Sequence, residues 1–254
     1  MTVTHEMYGS VGVVTLAKPP HNLIDDALIE GLMAAYNAVL SAGCRAILLR
    51  SGMRHFCAGA DLNSFNTTTF IHTDASRFED YLRVLEDAPV PTVAAVHGSA
   101  LGGGLEIALT CDTIICADTA TLGQVECTVG LLPLLGGTQR IAQRAGVARA
   151  KEAVMLGRRY PPEVFERWGI VNLVVPEADL LSASLTWARQ LAAGPIAVLK
   201  GAKRLANLTA RDGVAAADAE QVRINNEIWE TSDRERGFTA FFATGPASAV
   251  FKGD

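Results

Sequence analysis

Short apolar runs that alternate with stretches of helical period restrict this chain more than any other feature. VGVVTLA (11–17), CRAILLRS (44–51), VPTVAAVHG (90–98) and TIICA (113–117) are shorter than an ordinary helix and too evenly apolar to leave one face in water. Between them, IDDALIEGLMAAYNAVL (24–40) and SRFEDYLRVLED (76–87) repeat apolar residues at helical spacing. The alternation predicts an α/β fold whose strands are largely covered on both faces. Periodicity does not give the order in which those strands connect.

Further along, GTQRIAQRAGVARAKEAVMLG (137–157) reads as helices interrupted near Gly146. FERWGIVNLVVP (165–176) reads as a helix end, a short strand and a proline stop. From DLLSASLTWARQL (179–191) onward the text is almost wholly helical, with further helices in 194–208, 212–230 and 233–245. This shift predicts an α/β core over residues 1–190 and a helical C-terminal subdomain over 191–254.

With 49% hydrophobic residues among 254, the chain can bury a substantial core. Its net charge of -5 and lack of a long basic run give a nucleic-acid partner no electrostatic support. The five cysteines are odd in number and form no CxxC pair, which argues against a disulfide framework or a structural zinc site. The opening MTVTHEMYGS lacks secretory character, and no apolar run reaches the ~18 residues of a membrane span. A cytoplasmic protein without membrane insertion is the expectation.

Gly102, Gly103 and Gly104 precede LEIALT, although consecutive glycines weaken a helix interior. They fit a purely structural turn. They also fit a close backbone approach whose N–H groups hold an anion or a developing oxyanion. Glu106 stands among Leu105, Ile107, Ala108 and Leu109, which favour burial of the segment. A buried carboxylate needs an ion-pair partner, ordered water or a catalytic task, or else it takes up a proton. Glu126 likewise interrupts compact text in QVECT. Two such carboxylates, if folding joins them, can hold one water and divide general-base and general-acid work. CAGAD (57–61) offers a second turn of amides, tethered or merely capped by Asp61.

In order and spacing, HFCAGAD, VHGSALGGGLEIALTCD, TLGQVECTVGLLPLLGGTQR and WGIVNLVVP resemble the enoyl-CoA hydratase/isomerase, or crotonase, family. The resemblance runs from PPHN to DRERGFTAF, most of the chain. It implies a crotonase-like spiral of β-β-α units followed by a helical trimerisation region, assembled as a homotrimer or a dimer of trimers. It also implies an acyl-CoA thioester bound bent, with its carbonyl on the Ala60 and Gly103 amides and its adenine beside Ala58.

The hydratase carboxylates correspond to Glu106 and Glu126. The implied reaction is reversible syn addition of water to a 2-trans-enoyl-CoA, giving a 3-hydroxyacyl-CoA. Glu126 would activate the water that attacks C3, while Glu106 holds the same water and cooperates in proton delivery at C2. No metal or redox cofactor is implied, and CoA belongs to the substrate. Arg54 and Lys252 match basic positions that serve CoA, the latter from across a subunit boundary. Leu105, Leu131 and Leu135 are the expected acyl-pocket residues, with Phe56, Phe65, Phe70 and Phe78 divided between pocket and core. The sequence departs from the family at Asn63, where a lysine is common, in TGPASAV, and at Leu135, where relatives carry a smaller residue. Δ3,Δ2-enoyl-CoA isomerisation and acyl-CoA hydrolysis are rival reactions, and a non-catalytic CoA-binding or assembly protein is the rival class. Retention of both glutamates favours hydration.

Overall fold

Strand β2 (Val11–Leu16) buries all six residues of VGVVTL, and β4 (Thr92–Val96) all five of TVAAV, so each needs neighbours on every side. They get them in a six-stranded sheet together with β1 (Val3–Tyr8), β3 (Ala46–Ser51), β6 (Thr113–Ala117) and β8 (Leu173–Val175). The order is β1-β2-β3-β4-β6-β8, with β1 antiparallel to β2 and the remaining pairs parallel. This computed structural model describes residues 1–63 and 75–254, with side chains from residue 81 in the second span.

Helix α1 (Asp26–Ser41) starts where Asp25 accepts the Leu28 N–H at 3.0 Å, which satisfies one of the donors left free at a helix start. Its buried face, which includes Leu28, Leu32, Tyr36 and Val39, packs on β1 and β2. Helix α2 is Ala75–Glu86. A second, two-stranded parallel sheet pairs β5 (Ser99–Leu101) with β7 (Thr121–Gly123), and helix α3 (Gly103–Leu109) follows β5 directly. Isolated parallel bridges, Ile24 to Ala60 and Cys57 to Ala100, extend the alignment to the preceding turns of chain. Each turn therefore gives one strand to the large sheet, a short extended piece to the second layer, and then a helix. This is the expected β-β-α spiral, and it stacks residues 57–60 beside the start of α3.

Helices α4 (Gly137–Ala145) and α5 (Val147–Leu156) meet at Gly146, as the sequence predicts, and α6 (Pro162–Arg167) leads to β8. Helix α7 (Leu180–Ala192) packs on β3, β4 and β6. Beyond it, α8 (Ile196–Asp212) and α9 (Val214–Trp229) pack on each other, followed by α10 (Ser232–Thr244). Lys203 of α8 pairs with Asp112 at 3.0 Å, and Arg211 with Asp87 at 3.0 Å, which joins this helical region to the core. Asp233 receives the Lys252 and Gly253 N–H groups at 2.8 and 2.7 Å, and Arg45 donates to the Phe251 carbonyl at 3.1 Å. The chain end is thereby held at the start of β3.

The apolar runs appear as β2, β3, β4, β6 and β8, whereas β1, β5 and β7 have no counterpart in the predicted elements. β1 buries only Val3, and β5 and β7 have three residues each, too few to show a period. Among the described residues no helix is long and apolar enough to cross a membrane.

Candidate active site

The glycine triplet is where three pieces of backbone converge. Gly102 has φ +53°, in the left-handed region that favours glycine, and a Cβ there would lie 3.1 Å from Glu126 Oε1. A Cβ on Gly104 would stand 2.2 Å from the Cys57 carbonyl oxygen, so only glycine lets α3 begin against the 57–60 segment. Leu101 N–H donates to that same carbonyl at 3.1 Å, and Gly102 N–H donates to Gly123 O of β7 at 2.8 Å. Ala58 N–H and Asp61 N–H are likewise engaged, by His21 O and Ile24 O. Between these engaged groups, the Ala60 and Gly103 amides make no hydrogen bond among the described residues. Both residues border one cleft of about 730 Å³, measured with its open mouth.

Glu106 and Glu126 line the same cleft. Glu106 is 2% exposed. One oxygen, Oε1, accepts the Gly137 N–H at 2.6 Å, while Oε2 lies toward Gly103, 3.8 Å from where a Cβ would be. Burial, and next the negative charge of Glu126, push its pKa from 4.5 up to about 8. Burial also raises Glu126, which sits half-buried on the 3₁₀ turn Glu126–Val129. Gln124 is fully buried and, with its amide nitrogen turned to the carboxylate, donates to both Glu126 oxygens at 2.9 and 3.1 Å. Donors of this kind favour the charged form. The arrangement therefore suits one shared proton, held on Glu106, and an anionic Glu126.

Of the expected contacts, Ala58, Leu131 and Leu135 lie in the cleft wall. Leu105 does not. It is 1% exposed and packs into the core from the inner side of α3, so it is withdrawn from the acyl pocket. Of the aromatics divided between pocket and core, Phe56 is fully buried in the core. Phe65 and Phe70 lie outside the described residues, as does the side chain of Phe78. Arg54 is exposed on the loop leading to Cys57, outside the cleft lining. Lys252 sits beside Phe251 at the start of β3, whereas Ala58 lies past its far end, a strand of about 20 Å away.

Asp112 both orients backbone and forms an ion pair, accepting from Thr92 N at 2.7 Å besides Lys203. The His97 ring nitrogen meets Met53 O at 2.8 Å, and Ser99 contributes its backbone N–H to His55, so no serine relay forms here. Cys57 is fully buried, its thiol donating to Asn22 O, and burial pushes it up to about 12, which makes it an inert packing group.

Sequence reasoning missed two buried amides. Gln124 is one. The other is Asn22, whose Nδ2 donates to Ser51 Oγ and to the His55 and Phe56 carbonyls at 2.8, 3.2 and 2.9 Å, which sets the path into CAGA. Ile24 is a further cleft residue, and its backbone brackets the Ala60 amide through Gly59 O and Asp61 N–H. The polar PPHN turn was the only signal at Asn22, and the position of Gln124 just before Glu126 the only one there.

The family described as enoyl-CoA hydratase/isomerase matches residues 6–252. A probable enoyl-CoA hydratase of Rhizobium meliloti is 33% identical over 244 residues, covering 95% of each chain. A crystal structure of an enoyl-CoA hydratase subunit from Geobacillus kaustophilus superposes with a TM-score of 0.93 at 28% identity, covering 100% of this chain and 99% of that one. The enoyl-CoA hydratase structure from Bacillus anthracis gives 0.92 at 28% identity, with full coverage of both chains.

Proposed function

The chain belongs to the enoyl-CoA hydratase/isomerase family, and on that premise we propose that it adds water reversibly across the double bond of a 2-trans-enoyl-CoA. The observation that carries the reading is the pair Glu106 and Glu126 in one cleft with the two unengaged amides of Ala60 and Gly103. The thioester oxygen rests on those amides, which stabilise the enolate-like charge that develops during addition, each donor contributing about 3 kcal/mol. Glu126, held as an anion by Gln124, takes a proton from the water whose oxygen bonds to C3. Glu106, with Oε1 occupied by Gly137, presents its proton from Oε2 to C2. With both carboxyls acting from the same side of the double bond, the two additions occur on one face. Exchange through the next water returns the proton from Glu126 to Glu106.

The walls at Ile24, Leu131 and Leu135 take the acyl chain, and Ala58 lies along the CoA path, with Arg54 exposed on the loop that leads to it. Subunits assemble as a trimer or a pair of trimers. Exposed Trp229, Phe238, Phe241 and Phe242 near the chain end support this, because aromatic surface of that kind gains by being covered.

The test is turnover of short, medium and aromatic 2-trans-enoyl-CoA substrates, with products resolved by mass and stereochemistry. Gain of one water is expected. Migration of the double bond without mass change, or release of free CoA, would replace hydration by isomerisation or hydrolysis. Glu106→Gln and Glu126→Gln are each expected to lower kcat by about 100- to 10,000-fold while substrate still binds. Normal turnover in both variants would defeat the assigned pair.

A further inference from the structure

The group that grips Glu106 is itself gripped. Gly137 N–H donates to Glu106 Oε1, and the carbonyl of the same peptide unit, Gly136 C=O, accepts from Arg140 Nη1 at 3.4 Å. Arg140 Nη1 also donates to Leu135 O at 3.2 Å. The rest of the guanidinium faces Glu86 of α2, with Nε on Oε1 at 3.2 Å and Nη2 on Oε2 at 2.9 Å. The pair is partly buried, with the arginine side chain 14% exposed, so its fork geometry holds a fixed position. A single peptide plane thus lies between the guanidinium on one side and the Glu106 carboxyl on the other.

We infer that Arg140 is a positioning residue for Glu106, holding it through the Gly136–Gly137 peptide, and that Glu86 sets how much of the arginine charge Glu106 feels. This rests on the hydration reading above for its catalytic meaning, but not for its electrostatics. Among the described residues, the charged groups facing Glu106 are Glu126 from the 3₁₀ turn and Arg140 from α4. Among the described residues, those around Arg140 are Glu86 and Arg83 from α2, Arg144 from α4 and Arg211 from α8. Arg211 is neutralised by Asp87. Glu86 therefore serves as the counter-ion that restrains the field of Arg140.

The test follows the Glu106 carboxyl directly by difference infrared titration in a Glu126→Gln background, its band assigned by disappearance in the Glu106→Gln, Glu126→Gln double variant. Arg140→Gln added to this background is expected to raise the titration midpoint by roughly one pH unit, since a positive charge and a supporting donor are both weakened. Arg140→Lys should return it part of the way. Glu86→Gln is expected to lower it, because the arginine loses its counter-charge. An ion pair with no electrostatic link to Glu106 would leave the midpoint unmoved from either end. Coincident midpoints in a folded Arg140→Gln variant, or shifts of the same sign at both ends, would overturn the inference. If Arg140→Gln does not fold, Glu86→Gln decides alone: a lower midpoint supports the role and an unchanged or higher one refutes it. Should the native enzyme fail to hydrate while these shifts occur as expected, the hydration reading falls and the role of Arg140 stands.

Discussion

At the scale of single residues, Glu106 carries a cost that its chemistry explains. Its pKa is raised from 4.5 to about 8 by burial and by Glu126, so the folded chain binds its proton more tightly than the unfolded chain does. Between those two values stability falls as pH rises, and above about 8 the penalty is complete. Glutamine cannot ionise. Glu106→Gln is therefore expected to gain stability relative to the native chain between pH 5 and pH 8.5, measured by urea midpoints at both values, while losing turnover. A difference independent of pH would show that the folded carboxyl does not carry the extra proton. The conflict between Glu106 and its apolar neighbours was readable in GGGLEIAL, because a charge in apolar text is a local signal. Gln124 and Asn22 were not readable as partners. The acceptors of Asn22 lie 29 to 34 positions away, and neither amide disturbs a hydrophobic period.

At the scale of elements, the site depends on α3 starting in contact with the 57–60 segment. Gly104→Ala would drive a methyl group to 2.2 Å from the Cys57 carbonyl and force the two apart. The expected outcome is a loss of roughly 1–3 kcal/mol in denaturant unfolding, together with a fall in kcat as the Gly103 amide moves away from Ala60. Unchanged stability and turnover would mean that this close approach is not needed. Strands β2, β3, β4 and β6 of the large sheet were legible because burial on both faces leaves an apolar run, whereas edge strand β1, which buries only Val3, leaves none. β5 and β7 were not, since three residues pairing across a second layer obey only tertiary context. Leu105 failed for a related reason. Its position next to the Glu106 carboxyl is sequential, but one step along a helix turns a side chain by about 100°, here away from the cleft and into the core.

At the scale of the whole molecule, the fold places its chemistry at one end of the large sheet and its chain terminus at the other. Arg45 holds the Phe251 carbonyl at the start of β3, while Ala58 and Ala60 lie beyond its end. A trimer would cover the aromatic surface near α10 and could bring Lys252 toward another subunit's substrate. Sedimentation at micromolar concentration is expected to give the mass of three or six 26.9 kDa chains. Phe242→Asp, at a side chain 83% exposed in the single chain, is expected to shift the protein toward monomer. A native monomer would contradict the proposed assembly. The helical character of the C-terminal region was legible from its periodicity, whereas which of its faces meets a neighbour was not, because amphipathic spacing looks the same whichever chain supplies the cover.

The account stands or falls on where a bound thioester puts its oxygen. A crystal structure with a 3-hydroxyacyl-CoA product would measure this directly. The expected result is the thioester oxygen at about 3 Å from both the Ala60 and Gly103 nitrogens, with the C3 hydroxyl beside Glu126 and C2 facing Glu106. An oxygen turned away from both amides, or a product whose C2 and C3 contact neither carboxyl, would contradict it.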